Sequence, residues 1–431
     1  MLTRRAFLGT AATSSAVAAF DPAALDRLTG LFADARQDPR SPAEFAADET
    51  FWREVQQAFR VDRSLTNLNN GGTSPSPEIV HDKYAQRLRD ANDAPPYHMW
   101  QLQDPGREVV RQQFAAAFGC EAEEIAFTRN ASESLMTCQH GIDLRRGDEV
   151  LTTDQDYPRM LQAFRQRERR SGIALRQIEL PVPCVDDADV VRRFAAAITD
   201  RTKLILLCHV INLTGQVLPV RAVCELARQR GIPVIVDGAH AIAHFPFRLD
   251  ELGCDYYGSS LHKWMFAPIG TGMLYVRKER IAGLWPLFAA DAKADADIRK
   301  FEEVGTHPAA PALGVAEALV FHHGLGADRK LARLVLLRDR WVKELSGLDR
   351  VHLHTDLAPG RAGAIANVEL RGVDTCRFAA HLWDKHRILT APIVHPRFTG
   401  LRISPSVYTT LAEIDRFVAA FRDAHAHGLP A

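Results

Sequence analysis

Two stretches decide how this chain folds: Pro233-Val-Ile-Val236-Asp237-Gly238-Ala239-His240, and Asp255-Tyr-Tyr-Gly-Ser-Ser260-Leu261-His262-Lys263 with the Trp264 to Gly272 loop behind it. Each opens with a short β-rich run and ends abruptly in polar residues. A run that is apolar at consecutive positions has no face to offer water, so it reads as a strand covered on both sides. Working outward, the same pattern recurs in IAFT (125–128), EVLTT (149–153), KLILLC (203–208) and MLYV (273–276). Helix-like stretches such as VVRRFAAAI (190–198) and VRAVCELARQRG (220–231) separate the runs. Strand-helix alternation of this kind predicts an α/β fold with a buried, mostly parallel sheet.

In an open α/β sheet, ligands bind outside the carboxyl ends of the strands. Asp237 sits at one such end, where a lone buried carboxylate costs several kcal/mol unless it meets a partner such as a protonated ring nitrogen. Lys263 follows another, among apolar neighbours that favour its neutral, nucleophilic form and hence Schiff-base chemistry with a carbonyl. After IAFT the chain continues Thr128-Arg129-Asn130-Ala131-Ser132-Glu133-Ser134-Leu135. Small polar residues opening a helix offer free N–H groups to an anion, most simply a phosphate. A phosphorylated ring with a carbonyl and a basic nitrogen is pyridoxal 5′-phosphate.

With these residues in view, the chain from about 65 to 420 resembles the class V aminotransferase family of fold-type I pyridoxal-phosphate enzymes. Asp237-Gly-Ala-His240 is similar to the family's D-x-A-[HQ] strand end, and Ser260-x-His262-Lys263 with Gly270-x-Gly272 to its S-x-H-K and G-x-G signature. The resemblance implies a seven-stranded, mostly parallel large-domain sheet and a smaller C-terminal α+β domain. It implies Lys263 as the Schiff-base lysine and proton shuttle, and Asp237 as partner of the pyridine nitrogen. It assigns Ala131, Ser132, Ser260 and His262 to the phosphate, His240 to the phenolate or phosphate side, and Asn212 to the ring hydroxyl. Tyr157, in Asp154-Gln-Asp-Tyr157-Pro158, falls where the family stacks a ring on the cofactor. Thr306 matches a segment that reaches the neighbouring subunit's phosphate, which implies a homodimer, and Arg402 matches the arginine for a substrate carboxylate.

The corner Asn69-Asn70-Gly71-Gly72 resembles the isopenicillin N epimerase-like branch. Cysteine desulfurases carry a nucleophilic cysteine shortly before the arginine, whereas the loop here, TAPIVHPRFTGLR (390–402), has none. The resemblance therefore implies transamination or epimerisation of an amino-bearing carboxylate, on a small molecule or a peptide. A C–S or β-lyase is the alternative within the same chemistry, and a non-catalytic binding protein that keeps the fold is the alternative outside it.

The N-terminus has its own logic. Thr3-Arg4-Arg5-Ala6-Phe7-Leu8, an Ala/Ser-rich stretch and Ala16-Val17-Ala18 look like a twin-arginine export signal with a peptidase site. That implies the twin-arginine translocon as a partner and a periplasmic location, since this route carries proteins already folded around a cofactor. Export and fold together are similar to the periplasmic pyoverdine-tailoring aminotransferase of this branch. The expected organisation is a signal peptide (1–19), a helical segment (20–65), a cofactor-binding large domain (66–305) and a small domain (306–431).

Composition narrows the rest. The 431 residues carry 53 Lys+Arg against 53 Asp+Glu, so no global charge attracts phosphate backbones, and nucleic acid is not an expected partner. Seven scattered cysteines form no CxxC pair and, being odd in number, no disulfide framework. His240 and His244 stand four apart, as on a metal-binding helix, but no third ligand follows, so no metal is expected. Ser132 and Ser134 read individually as helix caps, and His98 and Trp100 as candidates for the substrate mouth.

Overall fold

The structure, a computed structural model, describes residues 22–430. The twin-arginine reading falls on residues outside that range. After the helices Pro22–Gln37, Pro42–Ala46 and Glu49–Gln57 and the short strand β1 (Thr66–Asn67), seven strands form the main sheet. They are β2 (Ile125–Thr128), β3 (Glu149–Thr153), β4 (Ala174–Ile178), β5 (Thr202–Cys208), β6 (Val234–Asp237), β7 (Tyr256–Ser260) and β8 (Gly272–Val276). Their order is β2-β8-β7-β6-β5-β3-β4, with β8 antiparallel to both neighbours and every other pair parallel.

The continuous apolar runs are explained by the two faces of this sheet. Ile205, Leu207, Val234 and Val236 pack into one core with Val223, Cys224 and Ala227, while Leu204, Leu206 and Ile235 pack into another with Leu135, Met160 and Phe164. Successive side chains of a strand point to opposite faces, so covering both favours near-continuous apolar residues along the strand's middle. Each such fully buried Val, Leu or Ile contributes roughly 1.5–3 kcal/mol. β4 escapes this pattern: Ala174-Leu-Arg-Gln-Ile178 is an edge strand, partly exposed throughout, and carries no apolar run to betray it.

The second sheet is antiparallel, in the order β12-β13-β10-β9, from β9 (Val351–Leu353), β10 (Ala366–Leu370), β12 (Ala391–His395) and β13 (Phe398–Ile403). Its core holds Leu337, Trp341, Val368, Leu401, Phe417 and Phe421, whereas residues 309–334 contribute to the core of the large sheet. The stretch expected as a loop, 390–402, is instead the β12–β13 hairpin, with Ala391 opposite Arg402. Alternating exposed and buried positions in Ala391–His395 mark a one-sided strand, a signal weaker than an apolar run. Strand β1 pairs with β11 (Ile388–Leu389), and Asn69 bridges Ser404, so the 66–72 corner runs alongside Arg402.

Two glycines are required by close approach. A Cβ on Gly238 would stand 1.9 Å from the Tyr257 ring, and one on Gly272 would stand 2.6 Å from Asn130 Cα. Both lie where strand ends crowd toward one point.

Candidate active site

That point is a cavity of about 420 Å³ at the carboxyl ends of β2, β3, β5, β6 and β7. Ten of the eleven residues that the resemblance assigns to cofactor or substrate line it: Ala131, Ser132, Tyr157, Asn212, Asp237, His240, Ser260, His262, Lys263 and Arg402. Thr306 does not. It lines a separate cavity of about 260 Å³ with Trp100, Arg107, Arg299 and Glu302, which also places Trp100 away from the main mouth.

The helix Ala131–Gly141 points its N-terminus into the cavity. Neither Ser132 nor Ser134 caps it: Asn130 does, its side chain accepting from Glu133 N–H at 2.9 Å. Ser134 instead donates to the Met273 carbonyl at 2.9 Å, pinning the helix to β8, while Ser132 is left to line the cavity. Ser260 Oγ accepts the Ala131 N–H at 3.0 Å, and His262 Nδ1 meets the Thr271 carbonyl at 3.0 Å. The end of β7 is thus bonded to the anion-binding end of the helix.

Asp237 closes β6. Among the described residues only the Ala239 N–H donates to its carboxylate, at 3.0 Å. Burial pushes its pKa up to about 6, with a smaller push from Asp156; the Ala239 bond and Lys263 oppose the shift. Behind it Cys208, paired with Asp237 across the β5–β6 register, donates its thiol to Asp156 Oδ1 at 3.1 Å. The other Asp156 oxygen accepts from Thr152 and Thr153, fixing the turn that presents Tyr157.

Lys263 stands with its Nζ 3.2 Å from His240 Nε2. Desolvation lowers its pKa to about 8, Arg402 adds to the lowering and Asp237 opposes it. Burial, then Lys263 and Arg402, hold the His240 imidazole well below its ordinary pKa, so it is neutral. Arg402 is itself lowered to about 10 by burial; it donates to the Asn212 carbonyl at 3.0 Å and to Asn69 Oδ1 at 2.8 Å.

Three polar atoms of this group, Asn212 Oδ1, His240 Nδ1 and Arg402 Nε, are buried without a protein partner. Buried polar atoms are paired in the great majority of cases, so three orphans around one cavity mark a place built for a polar ligand. His244 is no metal ligand here: its Nδ1 meets the His240 carbonyl and its Nε2 the Ala364 N–H. Arg397 ion-pairs with Asp154 at 2.5 Å and is structural. Gly71, Gly72, Asn130, Arg159 and Cys208, to which the sequence assigns no site role, also line the cavity. The Gly71-Gly72 corner was visible as a motif, but its contact with Ser404 spans more than three hundred residues and has no local signal.

Residues 66–417 match the family described as Aminotransferase class-V. The isopenicillin N epimerase of Amycolatopsis lactamdurans is 32 % identical over 87 % of this chain and 98 % of that protein. A probable cysteine desulfurase 2 of Mycobacterium leprae is 26 % identical over 88 % of this chain and 96 % of that protein. Among solved structures, a C-DES mutant with glycine covalently linked to its PLP cofactor superposes with a TM-score of 0.75 at 23 % identity, covering 85 % of this chain and 99 % of that one. The chain belongs to the class V aminotransferase family of pyridoxal-phosphate-dependent enzymes.

Proposed function

We propose that this chain removes the α-proton of a substrate bearing an amino group and a carboxylate, and returns a proton in a transamination or an epimerisation. The observation that carries this reading is Lys263, an amine of lowered pKa in one cavity with a buried carboxylate and a buried arginine.

The donor set fits pyridoxal phosphate. The Ala131–Gly141 N-terminus, with Ser132, Ser260 and His262 beside it, offers N–H and hydroxyl groups to a phosphate. Asp237, costly to ionise alone, gains a partner in a protonated ring nitrogen. Asn212 and His240, each with a buried polar atom left without a protein partner, line the same space, and the partly exposed Tyr157 lines it too. Bound there, pyridoxal phosphate supplies an electron sink that acidifies the Cα–H of an attached amine.

The chain's own residues do the rest. Lys263 Nζ accepts the α-proton and gives it back, and its pKa near 8 suits it to both directions around neutral pH. Neutral His240, 3.2 Å away, orients that amine without competing for its charge. The Arg402 guanidinium, held by Asn212 and Asn69, presents its remaining N–H groups to the substrate carboxylate. Where the proton is returned separates the two reactions. The 32 %-identical relative named as an epimerase favours keeping the second beside the first.

Desulfuration is disfavoured. The β12–β13 hairpin carries no cysteine, and Cys208, the thiol that lines the cavity, is kept protonated by burial and by Asp156. Two further elements of the proposal rest on the sequence: export through the twin-arginine route to act in the periplasm on a metabolite or peptide, and a homodimer in which Thr306 serves the other subunit's cavity. Exposed Tyr97, Trp100 and Leu102, on the segment packed beside the Thr306 cavity, suit such a contact. The reading is tested by adding amino acids, glutamate first, to the holoenzyme: a usable donor shifts the visible absorption band, and an epimerised substrate exchanges its α-hydrogen with deuterated solvent.

A further inference from the structure

His244 belongs to none of the roles above, yet it is buried and both of its ring nitrogens are hydrogen-bonded. Its Nδ1 lies 2.7 Å from the His240 carbonyl, and its Nε2 lies 2.7 Å from the Ala364 backbone nitrogen. A carbonyl only accepts and an amide N–H only donates, so the tautomer is fixed: Nδ1 carries the proton and Nε2 accepts. Its ring also stacks on Trp264, with centroids 4.0 Å apart and planes 12° from parallel. The three contacts reach His240, whose imidazole faces the Lys263 amine; Trp264, the next residue after Lys263; and the segment that leads into β10 of the second sheet.

Each of those partners is itself braced. Trp264 offers its carbonyl to Lys330, a buried amine that lies 4.0 Å from the Phe266 ring centroid. The Ala362 and Gly363 carbonyls accept from Arg338 Nη1 at 2.8 and 2.7 Å. A Cβ on Gly363 would stand 2.3 Å from His244 Nε2, so the segment approaches the ring as closely as glycine allows. On either flank a non-glycine residue occupies left-handed backbone, Ala243 and Phe266, both at φ 59°. Such conformations cost on the order of 1–3 kcal/mol and persist only where the surroundings over-determine them. The strained residues adjoin His244 on one side and the Lys263–Trp264 turn on the other.

We infer that His244 is a positioning residue: it clamps the His240 turn and the Lys263–Trp264 turn to each other and to the second sheet, and so holds the Lys263 amine in its desolvated place. The inference rests on the reading of Lys263 as the working amine. It assigns His244 no contact with substrate or cofactor. The titratable and charged groups that act on Lys263 are Asp237, Arg402, Cys208 and the His240 imidazole, and a change at His244 removes none of them. An altered Lys263 titration then reports position and hydration rather than a lost charge.

The test uses the full-length chain freed of cofactor and a small acylating reagent, with modification of the Lys263 peptide followed by mass spectrometry across pH. Three proteins are compared: wild type, His244→Phe, which keeps a ring for Trp264 but loses both hydrogen bonds, and His244→Asn, whose amide restores a donor near the Nδ1 position. Thermal midpoints are recorded for each. The wild type is expected to become half-reactive near pH 8. In His244→Phe the midpoint moves toward the ordinary lysine value, and labelling at pH 8 falls about threefold or more as water reaches the amine. His244→Asn recovers part of that loss.

A wild-type profile in His244→Phe overturns the inference, whether or not that variant melts lower, because a purely structural role moves the melt and not the titration. Failure of the underlying reading looks different: Lys263 in the wild type then labels like an exposed lysine, with no depressed midpoint.

Discussion

Lys263 Nζ lies 3.2 Å from His240 Nε2, and burial disfavours the charged form of both groups. An amine beside a neutral imidazole, with Asp237 in the same cavity, can take a proton and release it near neutral pH. Lys263→Ala is therefore expected to lower turnover by roughly 10²–10⁴-fold, the usual range for a positioned acid–base group. Cofactor binding through the phosphate contacts should survive, so an equilibrium titration with pyridoxal phosphate separates loss of chemistry from loss of binding.

Asp237 makes a pH prediction for the cofactor-free chain. Its folded pKa, about 6, lies above the ordinary carboxyl value of 3.8, so the folded state binds the extra proton between those values. Its stabilising contribution is full below about pH 3.8 and is lost as pH rises toward 6, a change of roughly 3 kcal/mol at about 1.4 kcal/mol per pKa unit. Asp237→Asn removes that term. Urea melts of both proteins should show the wild type losing stability relative to the variant from pH 4 to 6, and cofactor should reduce the gap above pH 6 for the wild type alone.

Arg402 is expected to act on binding more than on turnover. Arg402→Lys keeps a charge but loses the planar fork and the simultaneous bonds to the Asn212 carbonyl and Asn69 Oδ1. Losing charge-assisted hydrogen bonds of this kind costs about 1.5–3 kcal/mol, or roughly ten- to a hundredfold in KM for a carboxylate substrate. Steady-state kinetics with a carboxylate substrate and its amide analogue check it, since the amide should be nearly indifferent to the change.

The export proposal has a simple readout. Replacing Arg4 and Arg5 by Lys should retain the protein in the cytoplasm of a host with a twin-arginine system, as cell fractionation and immunoblotting would show; unchanged periplasmic recovery would remove that element.

The fold was legible where burial is two-sided. Ile125–Thr128, Glu149–Thr153 and Val234–Asp237 appear in the sequence with the ends they have in the structure, because both faces are covered and their middles are near-continuously apolar, with polar residues gathered at the ends. β4 and β12 were not seen, since each has an exposed side and only weak alternation. The strand-end polar residues gave most of the cavity for the same reason. Arg159 and Cys208 were missed because an arginine on a helix surface and a cysteine ending an apolar run look ordinary in sequence. What His244 does was beyond reach, since its partner Ala364 lies 120 residues away.

The central claim is that Lys263 is where pyridoxal phosphate attaches. Borohydride reduction of the purified holoenzyme, followed by proteolysis and mass spectrometry, tests it most directly. The account predicts a single stable pyridoxyl adduct on the Lys263 peptide, absent from Lys263→Ala. An adduct on another lysine, or none in protein that has been supplied with the cofactor, would contradict it.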